Sequence, residues 1–243
     1  MSSYASGVGN LYTAGQSIYA ESSTQVHTIG TRLALGDGRV FYYAKWGGTM
    51  VAGQLAAAAQ QTAAHHNLVT ALNPVGTRTY TVTLATTAAT ADMYKDGTLI
   101  VIAGTGIGQT YKIKSNPAQT STTGTLALTL YDELVVATAV ADSKTDLFPN
   151  MFNGVTHSAT QALKKIGVPL IAGTSGYFGW LQTWGLCGVF AGDTAANGTL
   201  LMSGDTAGET LTQDGYTKDL IGAVHGATHA SGEYNATFLT LVP

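Results

Sequence analysis

The stretch Thr79-Tyr80-Thr81-Val82-Thr83-Leu84 decides how this chain is to be read. Successive side chains of a strand point to opposite faces, so Tyr80, Val82 and Leu84 fall on one face and three threonines on the other. The same alternation recurs at Thr110-Tyr111-Lys112-Ile113-Lys114 and at Leu126-Ala127-Leu128-Thr129-Leu130. Between them, Leu99-Ile100-Val101-Ile102 is a short continuous apolar run bounded by Asp96-Gly97 and Gly104. Strands spaced this closely predict a compact β module over 76–148, set within a larger β domain made of 31–75 and 149–243.

Outside the module, turn punctuation continues: Gly36-Asp37-Gly38, Gly47-Gly48, Ala196-Asn197-Gly198 and Asp214-Gly215. Gly38-Arg39-Val40-Phe41-Tyr42-Tyr43-Ala44-Lys45-Trp46 is full of β-formers and predicts a strand. Gln54-Leu55-Ala56-Ala57-Ala58-Ala59-Gln60-Gln61 has high helix propensity, but its Thr- and Gly-rich flanks favour an extended path. Residues 158–166 are expected to make two helical turns before Pro169 ends them. Tyr177–Trp184 and Leu186–Phe190 read as a hairpin-like pair of aromatic strands. Leu200–Met202, Leu220–Val224 and Ala236–Val242 read as further strands, the last tying the C-terminal end into a sheet. Residues 1–30, rich in Gly, Ser and Thr with Tyr4, Tyr12 and Tyr19 widely spaced, read as an extended N-terminal arm. Its tyrosines either pack along a neighbour or belong to a free terminus. The expected class is therefore mainly β, with sandwich- or barrel-like modules, an extended N-terminal arm and little helix.

Charged residues are only 10% of the chain while hydrophobic residues are 45%. An ordinary globular chain carries roughly 25% charge. Either some surface is normally covered by neighbours, or Ser, Thr, Asn and Gln do the work of solvation. The net charge of −3 comes without a basic stripe, which argues against direct contact with nucleic acid. The single cysteine, Cys187, permits no intrachain disulfide and sits among apolar neighbours like a small buried hydrophobe. Met1-Ser2-Ser3-Tyr4 lacks the basic and apolar regions of a signal peptide, and no apolar run reaches the ~20 residues of a membrane span. Without a secretory route the sequons at Asn197 and Asn235 carry no expected modification.

Motifs with chemical promise fail on spacing. Gly104-Thr105-Gly106-Ile107-Gly108 follows an apolar run, but a dinucleotide loop must open a helix, and Gln109–Lys114 alternates like a strand. Its glycines are better spent on positive φ in a turn or bulge. His65 and His66 are adjacent and would diverge, while His225 and His229 lie in a Gly- and Ser-rich loop. Gly173-Thr174-Ser175-Gly176 lacks the spacing of a nucleophile elbow. Asp132-Glu133 resemble turn residues rather than a catalytic pair. No catalytic, cofactor-binding or metal-ligating residue is assigned, and no enzymatic role is expected. The aromatic cluster Tyr177, Phe178, Trp180 and Trp184 is the most unusual local feature. Strand alternation would put Phe178, Trp180 and Trp184 on one face, serving as core, subunit interface or sugar-stacking platform.

Leu35-Gly36-Asp37-Gly38-Arg39-Val40-Phe41-Tyr42-Tyr43-Ala44-Lys45, following a Gly/Ser/Thr arm, resembles a segment common in phage virion proteins. Asp96-Gly97 through Gly106–Ile113, and Gly176–Gly185, look similar too. The resemblance is to the capsid decoration, or cement, proteins of tailed phages. It implies a β-rich structural protein of the virion exterior, assembled in the host cytoplasm. Such a protein would self-associate as a homo-oligomer on the capsid surface and clamp neighbouring major capsid protein subunits, without nucleic acid or membrane as partner. Tyr4, Tyr12, Tyr19, Phe178, Trp180 and Trp184 are the interface candidates. The alternative is a phage tail or fibre module that binds host glycans through the aromatic face. A secreted β-sandwich hydrolase is disfavoured by the missing leader and motif.

Overall fold

A computed structural model describes residues 15–140, 142–160, 163–213 and 218–242. The chain divides into two compact units: Met1–Ala59 with Phe152–Pro243, and Gln60–Met151 between them. The architecture is mainly β. The single helical element among the described residues is a 3-10 turn at Ala63–His65. No helix among the described residues is long and apolar enough to cross a membrane.

The larger unit contains β1 (Arg32–Ala34), β2 (Val40–Trp46), β3 (Ala56–Ala57), β10 (Asn153–Val155), β11 (Lys165–Pro169), β12 (Phe178–Phe190), β13 (Leu200–Ser203), β14 (Thr210–Thr212), β15 (Leu220–Val224) and β16 (Tyr234–Thr240). The main sheet runs β1-β2-β12-β16-β15-β13-β14, with β10 beside β2 and β11 bridging β12 to β3. β2 is buried on both faces. Phe41 and Tyr43 join Ile18, Leu33, Phe178 and Trp180 in one cluster. Ala44 and Trp46 join Met50, Phe152, Val155, Ile166 and Leu181 in another. A third cluster, with Cys187, Val189, Leu201, Ile221 and Leu239, lies under the far half of the sheet.

The smaller unit is a closed six-stranded barrel, β4-β5-β8-β7-β6-β9. Its strands are β4 (Leu68–Thr70), β5 (Thr79–Thr83), β6 (Thr98–Ala103), β7 (Thr110–Ser115), β8 (Thr125–Leu130) and β9 (Lys144–Phe148). The alternating sequence maps directly onto it: Tyr80, Val82, Ile113, Leu126 and Leu128 fill the interior while the intervening residues face out. Tyr80, Thr70 and Thr145 form a buried hydroxyl chain, with Thr145 Oγ1 2.6 Å from Tyr80 Oη and 3.0 Å from Thr70 Oγ1. The barrel unit begins at Gln60 rather than 76, because β4 closes it by pairing with both β5 and β9.

Three expectations are corrected. The described residues of the span 158–166, namely 158–160 and 163–166, carry no helix: Lys165–Pro169 is a strand paired to β12 and β3, and its five residues are all buried. Ile166-Gly167-Val168 suits that sandwiched position, where a Cβ on Gly167 would meet that of Leu181 at 2.8 Å. Tyr177–Phe190 is no hairpin. β12 is one 13-residue strand whose first half pairs with β2 and whose second half pairs with β16. Nor do Phe178, Trp180 and Trp184 share a face. A bulge between Gln182 and Trp184 inserts an extra residue, so Trp180 lies opposite Tyr43 but Trp184 lies opposite Val40. One extra residue reverses the facing of everything beyond it. The Gln182 amide braces the bulge by donating to the Trp184 and Leu186 carbonyls at 3.2 and 2.9 Å.

Candidate interaction surfaces

The predicted interface residues separate into four groups. Tyr4 and Tyr12 lie outside the described residues. Tyr19 is 56% exposed. Phe178 and Trp180 are buried beneath the chain's own residues 16–29. Ser22 exchanges two backbone hydrogen bonds of 2.9 Å with Phe178. Gln16 accepts from the Tyr43 hydroxyl at 2.8 Å and donates to the Phe178 carbonyl at 2.8 Å, while its own carbonyl accepts from Trp180 Nε1 at 3.2 Å. His27 packs on both Tyr43 and Trp180. From Gln16 onward, the expected extended arm is therefore a cover strip over an aromatic core, and Phe178 and Trp180 present no free stacking platform. Trp184, by contrast, stands on an accessible face.

That face belongs to the second half of β12 and its neighbours. Leu186 pairs with Phe238, Phe238 with Ala223, and Ala223 with Leu200, so one row crosses four strands. Leu186 is 50%, Phe238 42% and Leu200 44% exposed. Trp184 meets Phe238 edge-on at 5.8 Å, and Phe190 meets Tyr234 at 5.5 Å. The same-facing positions of β12 and β16 are Trp184, Leu186, Gly188 and Phe190, and Tyr234, Ala236, Phe238 and Thr240. None carries a charge. An apolar face this continuous is unusual for a surface that stays in water.

A second apolar surface caps one end of the barrel. The loops β4–β5, β6–β7 and β8–β9 all emerge there, whereas the chain enters at β4 and leaves at β9 from the other end. Leu72 (65%), Val75 (61%), Ile107 (66%), Val135 (72%) and Val140 (65%) stand out from these loops. Their backbones are tightly braced. The Asn73 amide donates to Thr138 Oγ1 at 2.9 Å, and Gly76 N–H donates to the Leu134 carbonyl at 2.8 Å. The Asp142 carboxylate accepts from Thr105 N–H at 2.7 Å and from its hydroxyl at 2.9 Å, which holds its pKa below the usual carboxylate value. Gly104, at φ +74, is the hinge of this arrangement: a Cβ there would lie 2.3 Å from the Asp142 carbonyl oxygen. The Gly104–Gly108 segment is thus a β6–β7 turn with three glycines at positive φ. It leads into strand β7 and opens no helix.

The remaining polar candidates do not converge. His65 is buried, its ring held between Tyr94 Oη and the Thr87 carbonyl, while His66 turns to Asp146 at 2.8 Å. His229 lies 3.6 Å from Glu233. Among the described residues no group of three or more His, Cys, Asp or Glu could hold a metal ion. Cys187 is buried, and burial pushes its thiol up to about 12. Asn235 of the second sequon is fully buried.

Sequence patterns pointed to aromatics, whereas the barrel-end surface is aliphatic. Its signal was present in turn segments that hold bulky apolar residues where polar ones are usual: Leu72-Asn73-Pro74-Val75-Gly76 and Leu134-Val135-Val136. The sheet face had a signal too, since β12 is apolar in both phases of its alternation. Comparison of the chain with family models, curated proteins and solved structures finds no match in any of the three.

Proposed function

We propose that this chain is a structural virion protein that decorates and stabilises a tailed-phage capsid, bridging major capsid protein subunits as a homo-oligomer on the particle's exterior. The observation that carries the reading is the braced aliphatic barrel end. Aliphatic side chains left two-thirds in water on loops fixed by hydrogen bonds form a preorganised docking knob, since little loop order remains to be lost on binding. The low charge of the chain and the three resembling stretches supply the virion context. Such a protein acts by linkage. A subunit that binds the assembled shell and not its dissociated parts stabilises the shell, and many modest contacts on one particle act together.

The test is reconstitution. Purified chain is mixed with expanded phage capsids that lack a decoration protein, and binding is followed by co-sedimentation and by the capsid disruption temperature. The expected result is saturable binding and a raised disruption temperature, both lost in Leu72→Asp/Val135→Asp with the barrel still folded by circular dichroism. Binding to tail fibres or glycans instead of shells, or no binding to shells, overturns the capsid reading.

A further inference from the structure

We infer that the uncharged face of β12, β16, β15 and β13 is the self-association surface of this chain, and that its occupant is the same face of a second copy. The inference rests on the reading of the chain as a self-associating particle subunit, but not on which particle it serves. Three observations single out a second copy.

The first is charge. In an isologous contact each residue near the two-fold axis meets its own image or a close neighbour, so a charge there faces a like charge. The outward positions of β12 and β16 hold no charged residue at all. A chain with both signs of charge elsewhere on its surface keeps this face neutral, as self-pairing requires.

The second is shape. The row Leu186–Phe238–Ala223–Leu200 runs across four paired strands, with small Ala223 between two large side chains. Two such faces can stack about 10 Å apart, as the sheets of a sandwich do, each large side chain settling over a small one. The barrel end differs: its residues protrude singly from loops and call for a concave partner.

The third is area. Leu186, Leu200, Tyr234 and Phe238 are 50%, 44%, 47% and 42% exposed. With on the order of 200 Å² per large side chain, these four and the half-buried Trp184 and Phe190 leave roughly 450 Å² of apolar surface in water. A standard interface hides about 800 Å² per partner, of which roughly 57% is nonpolar, or about 450 Å². The face therefore holds the apolar content of one half of a standard dimer.

The test uses the full chain in sedimentation-velocity ultracentrifugation from about 1 to 100 μM, which reaches past the weak end of the micromolar-to-picomolar range spanned by interfaces of this size. The wild type is expected to be dimeric or a higher even-numbered assembly. Leu186→Lys/Phe238→Lys and Leu186→Glu/Phe238→Glu should each be monomeric, with dissociation constants raised at least a hundredfold. Mixing the two should restore a heterodimer, a readout that a merely misfolded variant would not give. Leu200→Lys, farther along the row, provides a second perturbation and should weaken association. Leu72→Asp/Val135→Asp should self-associate like the wild type, so failure of shell docking and failure of this interface are read separately. A monomeric wild type at 100 μM, or association unchanged in the Lys and Glu variants, overturns the inference.

Discussion

Replacing Trp180 by alanine probes the main reversal between the aromatic motif and its setting. Trp180 is 1% exposed and lies 5.1 Å from Tyr43 and 5.3 Å from His27 in ring-centroid distance. A Trp→Ala change in a packed core costs about 3–5 kcal/mol in transfer and cavity terms. Losing the indole N–H also strands the Gln16 carbonyl, whose pairing at 3.2 Å is worth about 1 kcal/mol. The sum, about 5 kcal/mol, falls on the unit formed by Met1–Ala59 and Phe152–Pro243. For a unit of this size each kcal/mol moves the midpoint by about 3 °C, so its transition should drop by roughly 15 °C. The barrel's transition should stay within about 2 °C, because Gln60–Met151 has its own core. Differential scanning calorimetry of the wild type and Trp180→Ala reads both, and limited proteolysis should show early cleavage among residues 16–29. Trp184→Ala, on the accessible face, should cost no more than about 1–2 kcal/mol. A Trp180→Ala protein that melts within 3 °C of the wild type would refute the core assignment and return Trp180 to the surface.

Two further outcomes follow from titrating groups. Burial holds the Cys187 thiol at about 12, so at pH 8 only about 10⁻⁴ of it is thiolate, and labelling by a thiol reagent should run on the order of a thousandfold slower than for a free cysteine. Labelling should accelerate only with urea concentrations that unfold the larger unit, and fast labelling of native protein would contradict the buried position. His157 accepts from Val51 N–H through Nε2 at 2.8 Å and donates from Nδ1 to the Leu55 carbonyl at 2.8 Å, so the neutral ring is the bound form and burial lowers its pKa. The unfolded chain takes up the proton first, so this contribution is complete above about pH 6.5 and falls as pH drops below it. The larger unit's midpoint should decline between pH 7 and 5, and His157→Gln should flatten that slope. An unchanged slope would assign the pH dependence to other groups.

Much of the fold was legible locally. Strands β5, β7 and β8 follow from alternation alone, because a barrel wall with one wet and one dry face imposes period two on its sequence. β2 follows from its β-formers and its bracketing turns. The Ala56-Ala57 pair stayed extended against its helix propensity, because its backbone pairs with β11 and Thr156 and both side chains are fully buried. The helix expected over 158–166 failed for the same reason. Its last two residues open a strand that pairs with β3 at Lys165 and with β12 further on at Val168 and Pro169, and Lys165 donates from the interior to the Ser158 and Thr160 carbonyls at 2.8 and 3.1 Å.

The sequence by itself determined the mainly β class of fold, the alternating strands β5, β7 and β8 and the glycine turn at Gly104–Gly108. These rest on backbone conformations and side-chain periods that neighbouring residues set among themselves. Tertiary structure alone decided which aromatics face water. The bulge at Gln182–Trp184 moves Trp184 to the opposite face from Trp180, and residues 16–29 return to cover Phe178 and Trp180. It also gathered Leu72, Ile107 and Val135, far apart in the chain, at one end of the barrel. A register shift of one residue and the closure of a barrel are settled by pairing between distant strands, and local sequence carries no record of either.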